Sequence, residues 1–229
     1  MRKIIPYKTQ RNALASLDNG GRFYNMFTYS NDGEISKSEL AKVAGLFSDK
    51  QKMFLFLDMS LAELDNNAVK SIHNSMTTEL QLDYRRYKAA RYTPAQAIVK
   101  GNASQSAIIT GIPHYIKSKS DFTGFIMMPI ITGNVTTFIM IPITDRYDIY
   151  EVHDLESPDI FVIAHAKGAK KLSDQPTRFG GIIKQLKKGK NSKSNDELYL
   201  EALYYSICAP NQSFHRTPAP SASSRGRRR

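Results

Sequence analysis

Cysteine is almost absent from this chain, since Cys208 is the only one in 229 residues. A single thiol excludes an internal disulfide framework and is compatible with a reducing compartment. The apolar run near the start ends at Pro6, short of the ~7 to 15 residues that the core of a signal peptide needs. We therefore expect a cytoplasmic location.

Several motifs that carry chemistry are missing as well. The sequence contains no glycine-rich phosphate loop, no serine nucleophile elbow and no cysteine-based metal site. We therefore expect no small-molecule cofactor. A binding function is favoured over an enzymatic one, and nothing in the sequence indicates an oligomeric state.

Charge is missing from residues 122–144, and this stretch repeats itself, because FIMMPI at 125–130 returns as FIMIPI at 138–143. Gly133 and Asn134 lie between the copies, and a pair of this kind between two β-rich runs is typical of a two-residue hairpin turn. Two prolines and many β-branched residues argue against a membrane-spanning helix. The stretch therefore predicts a β-hairpin.

The turn also predicts the register of this hairpin. Thr132 should lie opposite Val135, which places Pro129 opposite Phe138. Both faces of the hairpin are apolar, so both must be covered by other parts of the chain. The pattern thus predicts that the hairpin lies at the centre of a packed domain.

The rest of the pattern predicts an α+β protein. Apolar spacing and capping signals, among them Ser36 with Glu39, predict helices over 9–17, 22–29, 36–47, 48–64 and 65–92. Strands are expected over 106–117, 146–153 and 159–166, which with the hairpin would form a small antiparallel sheet or partly closed barrel. Two C-terminal helices are expected over 182–188 and 196–208.

Composition divides the chain into three predicted parts. These are a helical module over residues 1–95, an antiparallel β domain with C-terminal helices over 96–208, and a disordered basic tail over 209–229.

Residues 28–39 resemble an EF-hand calcium loop in the positions of Gly33, Ile35 and Glu39. Thr28 replaces the carboxylate expected at the first ligand position. Asp32 and Glu39 alone are too few strong ligands for a tight site. We interpret this stretch as a turn followed by a helix cap.

Positive charge is concentrated at the C-terminal end. The net charge is +11, and residues 167–229 hold fourteen lysines or arginines against four acids. Such a local field favours a polyanionic partner, either nucleic acid or an anionic membrane surface. The predicted phosphate-binding residues that follow the last expected strand are Lys167, Lys170, Lys171, Arg178, Lys184, Lys187, Lys188, Lys190 and Lys193.

A second basic patch spans residues 84–92, where Arg85 and Arg86 alternate with tyrosines. Bases could stack on such rings while the arginines contact phosphates. The alternative is a solvated helix end in which Tyr84 and Tyr87 belong to the core. Both interpretations are open at this level.

An acidic group with histidine suggests a different function. Asp159, a following hydrophobic strand, His165 and Lys167 resemble a degenerate form of the motif of metal-dependent PD-(D/E)xK nucleases, without the carboxylate two residues before the lysine. In this interpretation the catalytic residues would be Asp159, His165 and Lys167, and the metal ligands would be Asp148, Glu151 and Asp159.

The first hypothesis is a non-enzymatic protein that binds single-stranded nucleic acid or another polyanion through its C-terminal basic surface. Five short strands beside a basic rim resemble oligonucleotide-binding barrels in architecture, with no residue-level motif. The alternatives are the metal-dependent nuclease, and a structural or interaction subunit that touches an anionic membrane.

Overall fold

The computed structural model describes residues 1–21, 29–116, 125–132, 135–142, 147–166, 171–187 and 197–208. For the two strands between 125 and 142 and for residues 166, 186, 187 and 197, the description is of the backbone alone. The helices are α1 (Gln10–Leu17), α2 (Lys37–Ala44), α3 (Lys50–Ser60), α4 (Asn66–Asn74), α5 (Thr78–Tyr87) and α6 (Pro94–Lys100). The strands are β1 (Arg2–Lys3), β2 (Ala90–Tyr92), β3 (Ser106–Tyr115), β4 (Phe125–Thr132), β5 (Val135–Pro142), β6 (Tyr147–His153), β7 (Ile160–Ala166), β8 (Thr177–Lys187) and β9 (Glu197–Ile207). The α+β class is confirmed.

The capping signals place the first helices correctly. At α2 the Ser36 hydroxyl accepts the Glu39 backbone N–H, while the Glu39 carboxylate accepts the Ser36 N–H at 2.8 Å. The other oxygen of Glu39 accepts the N–H of Gly20 at 2.7 Å, and the side chain is fully buried. Because these donors occupy the carboxylate, the turn-and-cap interpretation of this stretch is confirmed. The helix predicted over 22–29 falls mostly outside the described residues.

The single helix predicted over 65–92 is wrong, because α4 and α5 are separate helices. Between them the chain pairs with Ile35, whose N–H donates to the Ser75 carbonyl at 2.6 Å and whose carbonyl accepts the Thr77 N–H at 3.0 Å. Thr77 then caps α5 through its hydroxyl, which accepts the Leu80 N–H. A contact from 40 residues away therefore divides a continuous apolar pattern.

Five strands form a closed barrel. Around it, β3 pairs with β6, β6 with β7, β7 with β9, β9 with β8, and β8 with β3. The β7–β9 pair is parallel and the other four pairs are antiparallel, so the purely antiparallel arrangement that the sequence predicts is wrong. The barrel core contains Tyr150, Phe161, Phe179 and Leu200.

The two predicted C-terminal helices are strands, β8 and β9. Their apolar residues reach both sides of the sheet, because one side faces the barrel core and the other is covered in part by α3. Two-sided burial removes the alternation that marks a strand in the sequence. Gly180 and Gly181, which precede the first of the expected helices, form a register shift within β8.

The hairpin register is confirmed, with Thr132 opposite Val135 and Pro129 opposite Phe138. Its position differs from the prediction. It lies at one end of the sheet order, where β4 pairs with the last residues of β8, Leu186 and Lys187. The hairpin is therefore neither the centre of the sheet nor part of the barrel, and the covering of its two faces stays a prediction.

The helical residues pack directly on the barrel. Helix α3 lies across β3, β8 and β9, and its apolar side chains share one core with Ile108 of β3 and Tyr204 of β9. None of the described helices is long and apolar enough to cross a membrane. The division of the chain at residue 95 stays a prediction.

Candidate nucleic-acid interface

The predicted lysines belong mainly to two connections at opposite ends of β8. Residues 167–176 join β7 to β8, and residues 188–196 join β8 to β9. Each connection holds three lysines and one aspartate. Because the two connections leave β8 at its opposite ends, the chain order assigns one lysine group to each end of this strand.

Lys171 is the described lysine of the first connection, and its side chain is exposed. Its ammonium lies 4.6 Å from the centre of the Tyr115 ring. The Tyr150 hydroxyl accepts the Leu172 N–H at 3.4 Å, which fixes the chain next to Lys171 against the barrel. Burial raises the pKa of Tyr150, so this hydroxyl is neutral near pH 7.

Two other predicted residues are not placed to contact a phosphate. Arg178 is 9% exposed and lies beside Cys208, where burial raises the pKa of the thiol and the guanidinium partly opposes that rise. Lys184 lies 3.7 Å from the Glu201 carboxylate, and its side chain is 14% exposed. A nucleic acid would have to displace that carboxylate to reach Lys184.

The remaining C-terminal lysines lie where the structure gives no side chains. Lys187 ends β8, and its side chain is outside the described residues. The other five also lie outside the described residues, in the two connections: Lys167, Lys170, Lys188, Lys190 and Lys193. Their role in phosphate binding stays a prediction.

The outer wall of the barrel between the two connections is apolar and aromatic. Tyr147, Val162, Ala164 and Tyr199 from β6, β7 and β9 form one cluster there. Burial raises the pKa of Tyr147, and the Glu201 carboxylate adds to that rise. Ala164 and Tyr199 are buried, so the half-buried Tyr147 and Val162 supply the ring and apolar surface of this wall.

In the basic patch at the end of α5, Tyr84 and Tyr87 belong to the core. Tyr87 stacks on Phe54 at 6.2 Å, and the Tyr84 hydroxyl donates to the Asp58 carboxylate at 2.8 Å. Arg85 and Arg86 are exposed on the last turns of α5. The arginines remain available to phosphates, but these two rings are not available to bases.

Asp58 is a buried carboxylate that the sequence analysis missed. It accepts the Tyr84 hydroxyl and the Ala89 N–H, both at 2.8 Å, and it is 4% exposed. Burial raises its pKa, and the two hydrogen bonds oppose that rise. An acid within the apolar run of residues 53–59 in α3 was the available signal, and its role here is to join α3 to the end of α5.

The residues of the nuclease hypothesis are not brought together as a set. Asp148 pairs with His165 across β6 and β7, whereas Asp159 precedes β7 at the other end of the same pair of strands. Six residues along a strand separate Asp159 from His165, which is about 20 Å. His165 is buried and stacks on Tyr150 at 5.5 Å, and Lys167 lies outside the described residues.

The acids of this group have other neighbours. The Asp159 carboxylate accepts the Ser157 hydroxyl at 2.7 Å, and Glu151 lies 3.9 Å from His153. Within the described ranges, no group of three or more histidine, cysteine, aspartate or glutamate side chains could hold a metal ion. The described geometry therefore gives no support to a metal centre at Asp148, Glu151 and Asp159.

Comparison with known proteins adds no family assignment, since no family model and no curated protein matches this chain.

Proposed function

We propose that this protein binds single-stranded nucleic acid across the outer wall of its barrel, without catalysing a reaction. The observation that carries the proposal is the position of the lysine-rich connections at the two ends of β8, with the apolar wall of β6, β7 and β9 between them. Phosphates need clustered cations, and bases need ring or apolar surface.

The architecture supports part of this placement, namely the wall and the connection over residues 188–196. Oligonucleotide-binding barrels use the face of their second and third strands together with the loops after the first and fourth strands. In this barrel those strands are β6 and β7. The corresponding connections are residues 116–146, which contain the β4–β5 hairpin, and residues 188–196. This is a likeness of architecture, so the proposal depends on the charge and surface of these elements rather than on the fold.

The distribution of acids decides where the phosphates should lie. Glu151 and Glu201 are on the wall itself, and Glu201 already neutralises Lys184. A phosphate over the centre of the wall would meet these carboxylates. We therefore place the phosphates at the two connections and the bases over the wall.

The test is the salt dependence of binding to a labelled single-stranded oligonucleotide of roughly 20 nucleotides. Replacing Lys188, Lys190 and Lys193 together by Gln should reduce the slope of log affinity against log salt by up to about 2, since each phosphate contact on a single strand contributes about 0.7.

The matched control removes the same charge elsewhere. Lys8, Arg11 and Lys70 are exposed on or beside α1 and α4, which pack on each other away from the barrel wall. Their replacement by Gln should leave the slope unchanged. Equal slopes for the two triple variants, or no binding by the unaltered protein at roughly 50 mM salt, would contradict the proposed function.

A further inference from the structure

A short series of aromatic rings runs from the barrel core to the surface. His165 stacks on Tyr150 with ring centres 5.5 Å apart, and Tyr150 meets Tyr115 edge to face at 5.4 Å. His165 and Tyr150 are buried, whereas Tyr115 is 37% exposed. The Tyr115 ring is therefore fixed from behind by buried rings while part of it faces solvent.

A cation is held beside this exposed ring. The Lys171 ammonium lies 4.6 Å from the Tyr115 ring centre. Next to Lys171, the Leu172 N–H donates to the Tyr150 hydroxyl and holds the chain against the barrel, and the exposed Asp174 carboxylate lies 3.8 Å from His114. Tyr115 ends β3 and Lys171 lies in the β7–β8 connection, so only the closed barrel places them together.

We propose that Tyr115 and Lys171 form a subsite for one nucleotide, in which the base stacks on Tyr115 and the ammonium contacts the adjoining phosphate. This inference rests on the proposed function and names the residues that would hold one base. An exposed cation–π contact is weaker than the stacking of a base on an aromatic ring. A base can therefore replace the ammonium over the ring and leave it free for the phosphate.

The mouth of a barrel is a common place for such a subsite, because strand ends there present side chains to solvent on a rigid wall. Tyr115 supplies the flat ring and Lys171 the charge, so the subsite would take any base of a single strand. We expect little preference among bases, since every base has a face that can stack.

The absence of tryptophan from the chain allows a direct test. In Tyr115→Trp the single indole should be quenched when a single-stranded oligonucleotide is added, because a base stacks on it. The control is Tyr29→Trp, since Tyr29 is 68% exposed among the N-terminal residues. Its fluorescence should not change. Quenching of neither indole, or equal quenching of both, would overturn the subsite.

The oligonucleotide affinity of Tyr115 variants gives a second test, which distinguishes loss of the aromatic ring from loss of the fold. Tyr115→Leu should weaken binding by about 5- to 150-fold, the range for loss of one base stack, whereas Tyr115→Phe should bind within about twofold of the unaltered protein. Lys171→Gln should reduce the salt slope by about 0.7. Circular dichroism of each variant checks that the fold is kept.

The outcomes distinguish the subsite from the proposed function. If the unaltered protein binds and the variant lacking Lys188, Lys190 and Lys193 has a smaller slope, but Tyr115→Leu binds normally, the subsite is wrong and the proposed function stands. If the unaltered protein does not bind, both are wrong.

Discussion

Burial controls the protonation of His73, which lies on α4 with its ring centre 4.3 Å from that of Tyr84. Its Nε2 atom is buried and has no hydrogen-bond partner among the described residues. Burial lowers the pKa of this imidazole below its ordinary 6.5, and the cations Arg91 and Lys88 lower it further. The native protein therefore favours neutral His73.

A pH dependence of stability follows from that shift. Between the lowered pKa and the ordinary 6.5, the unfolded chain holds more protons than the native one, so the free energy of unfolding rises with pH. Stability should therefore fall as the pH is lowered through this window. His73→Phe keeps a ring against Tyr84 and should remove this component, as measured by urea unfolding at pH values above and below 6.5.

His215 supplies the control for this measurement, because it lies in the tail that the sequence predicts to be disordered. His215→Gln should retain the pH dependence of the unaltered protein. An unaltered pH dependence in His73→Phe would show that the imidazole of His73 has the same pKa in the folded and unfolded chains.

At the scale of elements, Gly180 decides how closely α3 can approach β8. A Cβ at this position would lie 2.9 Å from Met59 Cγ and 3.3 Å from Leu55 Cδ1, both on α3. Contacts below 3.0 Å require one of the atoms to move. The missing side chain therefore lets the helix lie against the strand.

Gly180→Ala should lower the free energy of unfolding by about 1 to 3 kcal/mol through overpacking. Loss of chain entropy in the unfolded state would stabilise the variant by about 0.4 to 1 kcal/mol, which is too little to offset this cost. Urea unfolding of the two proteins measures the difference.

A double-mutant cycle tests the stated cause. Met59→Ala alone should cost about 2 to 5 kcal/mol through the cavity that it leaves. Combined with Gly180→Ala, the total should be smaller than the sum by more than about 0.5 kcal/mol, because the added methyl group enters that cavity. Strict additivity would contradict a contact between Gly180 and Met59.

At the scale of the whole molecule, positive charge is concentrated in the C-terminal part of the sequence. Residues 212–229 contain five arginines and no acid, out of a net charge of +11. The disordered tail that their proline and serine content predicts lies outside the described residues. We expect this tail to add a salt-dependent attraction for nucleic acid without adding to stability.

Deletion of residues 212–229 should leave the thermal midpoint unchanged and weaken binding to a single-stranded oligonucleotide at low salt, with a smaller salt slope. Replacement of the five arginines by lysine keeps the charge and should bind nearly as the unaltered protein does. A lower thermal midpoint after deletion would mean that the tail packs on the core.

Features that depend on neighbouring residues could be predicted from the sequence. The capping box of Ser36 and Glu39, the turn at Gly133 and Asn134 with its register, and the strands β3, β6 and β7 all arise from spacings of a few residues. For the candidate site, the sequence could predict that lysines and arginines would supply the phosphate contacts. The pairing of Lys184 with Glu201 and the burial of Arg178 were not, since each depends on a neighbouring element.

The sequence alone determined the α+β class, the local helix caps, the hairpin register and the concentration of positive charge after residue 166. Tertiary structure alone decided that β8 and β9 are strands, that the hairpin lies at the end of the sheet, and that Tyr115 meets Lys171. The reason is that barrel closure joins β3 to β8 and β7 to β9, which are far apart along the chain. In β8 and β9 it buries both faces, so the local pattern no longer distinguishes a strand from a helix.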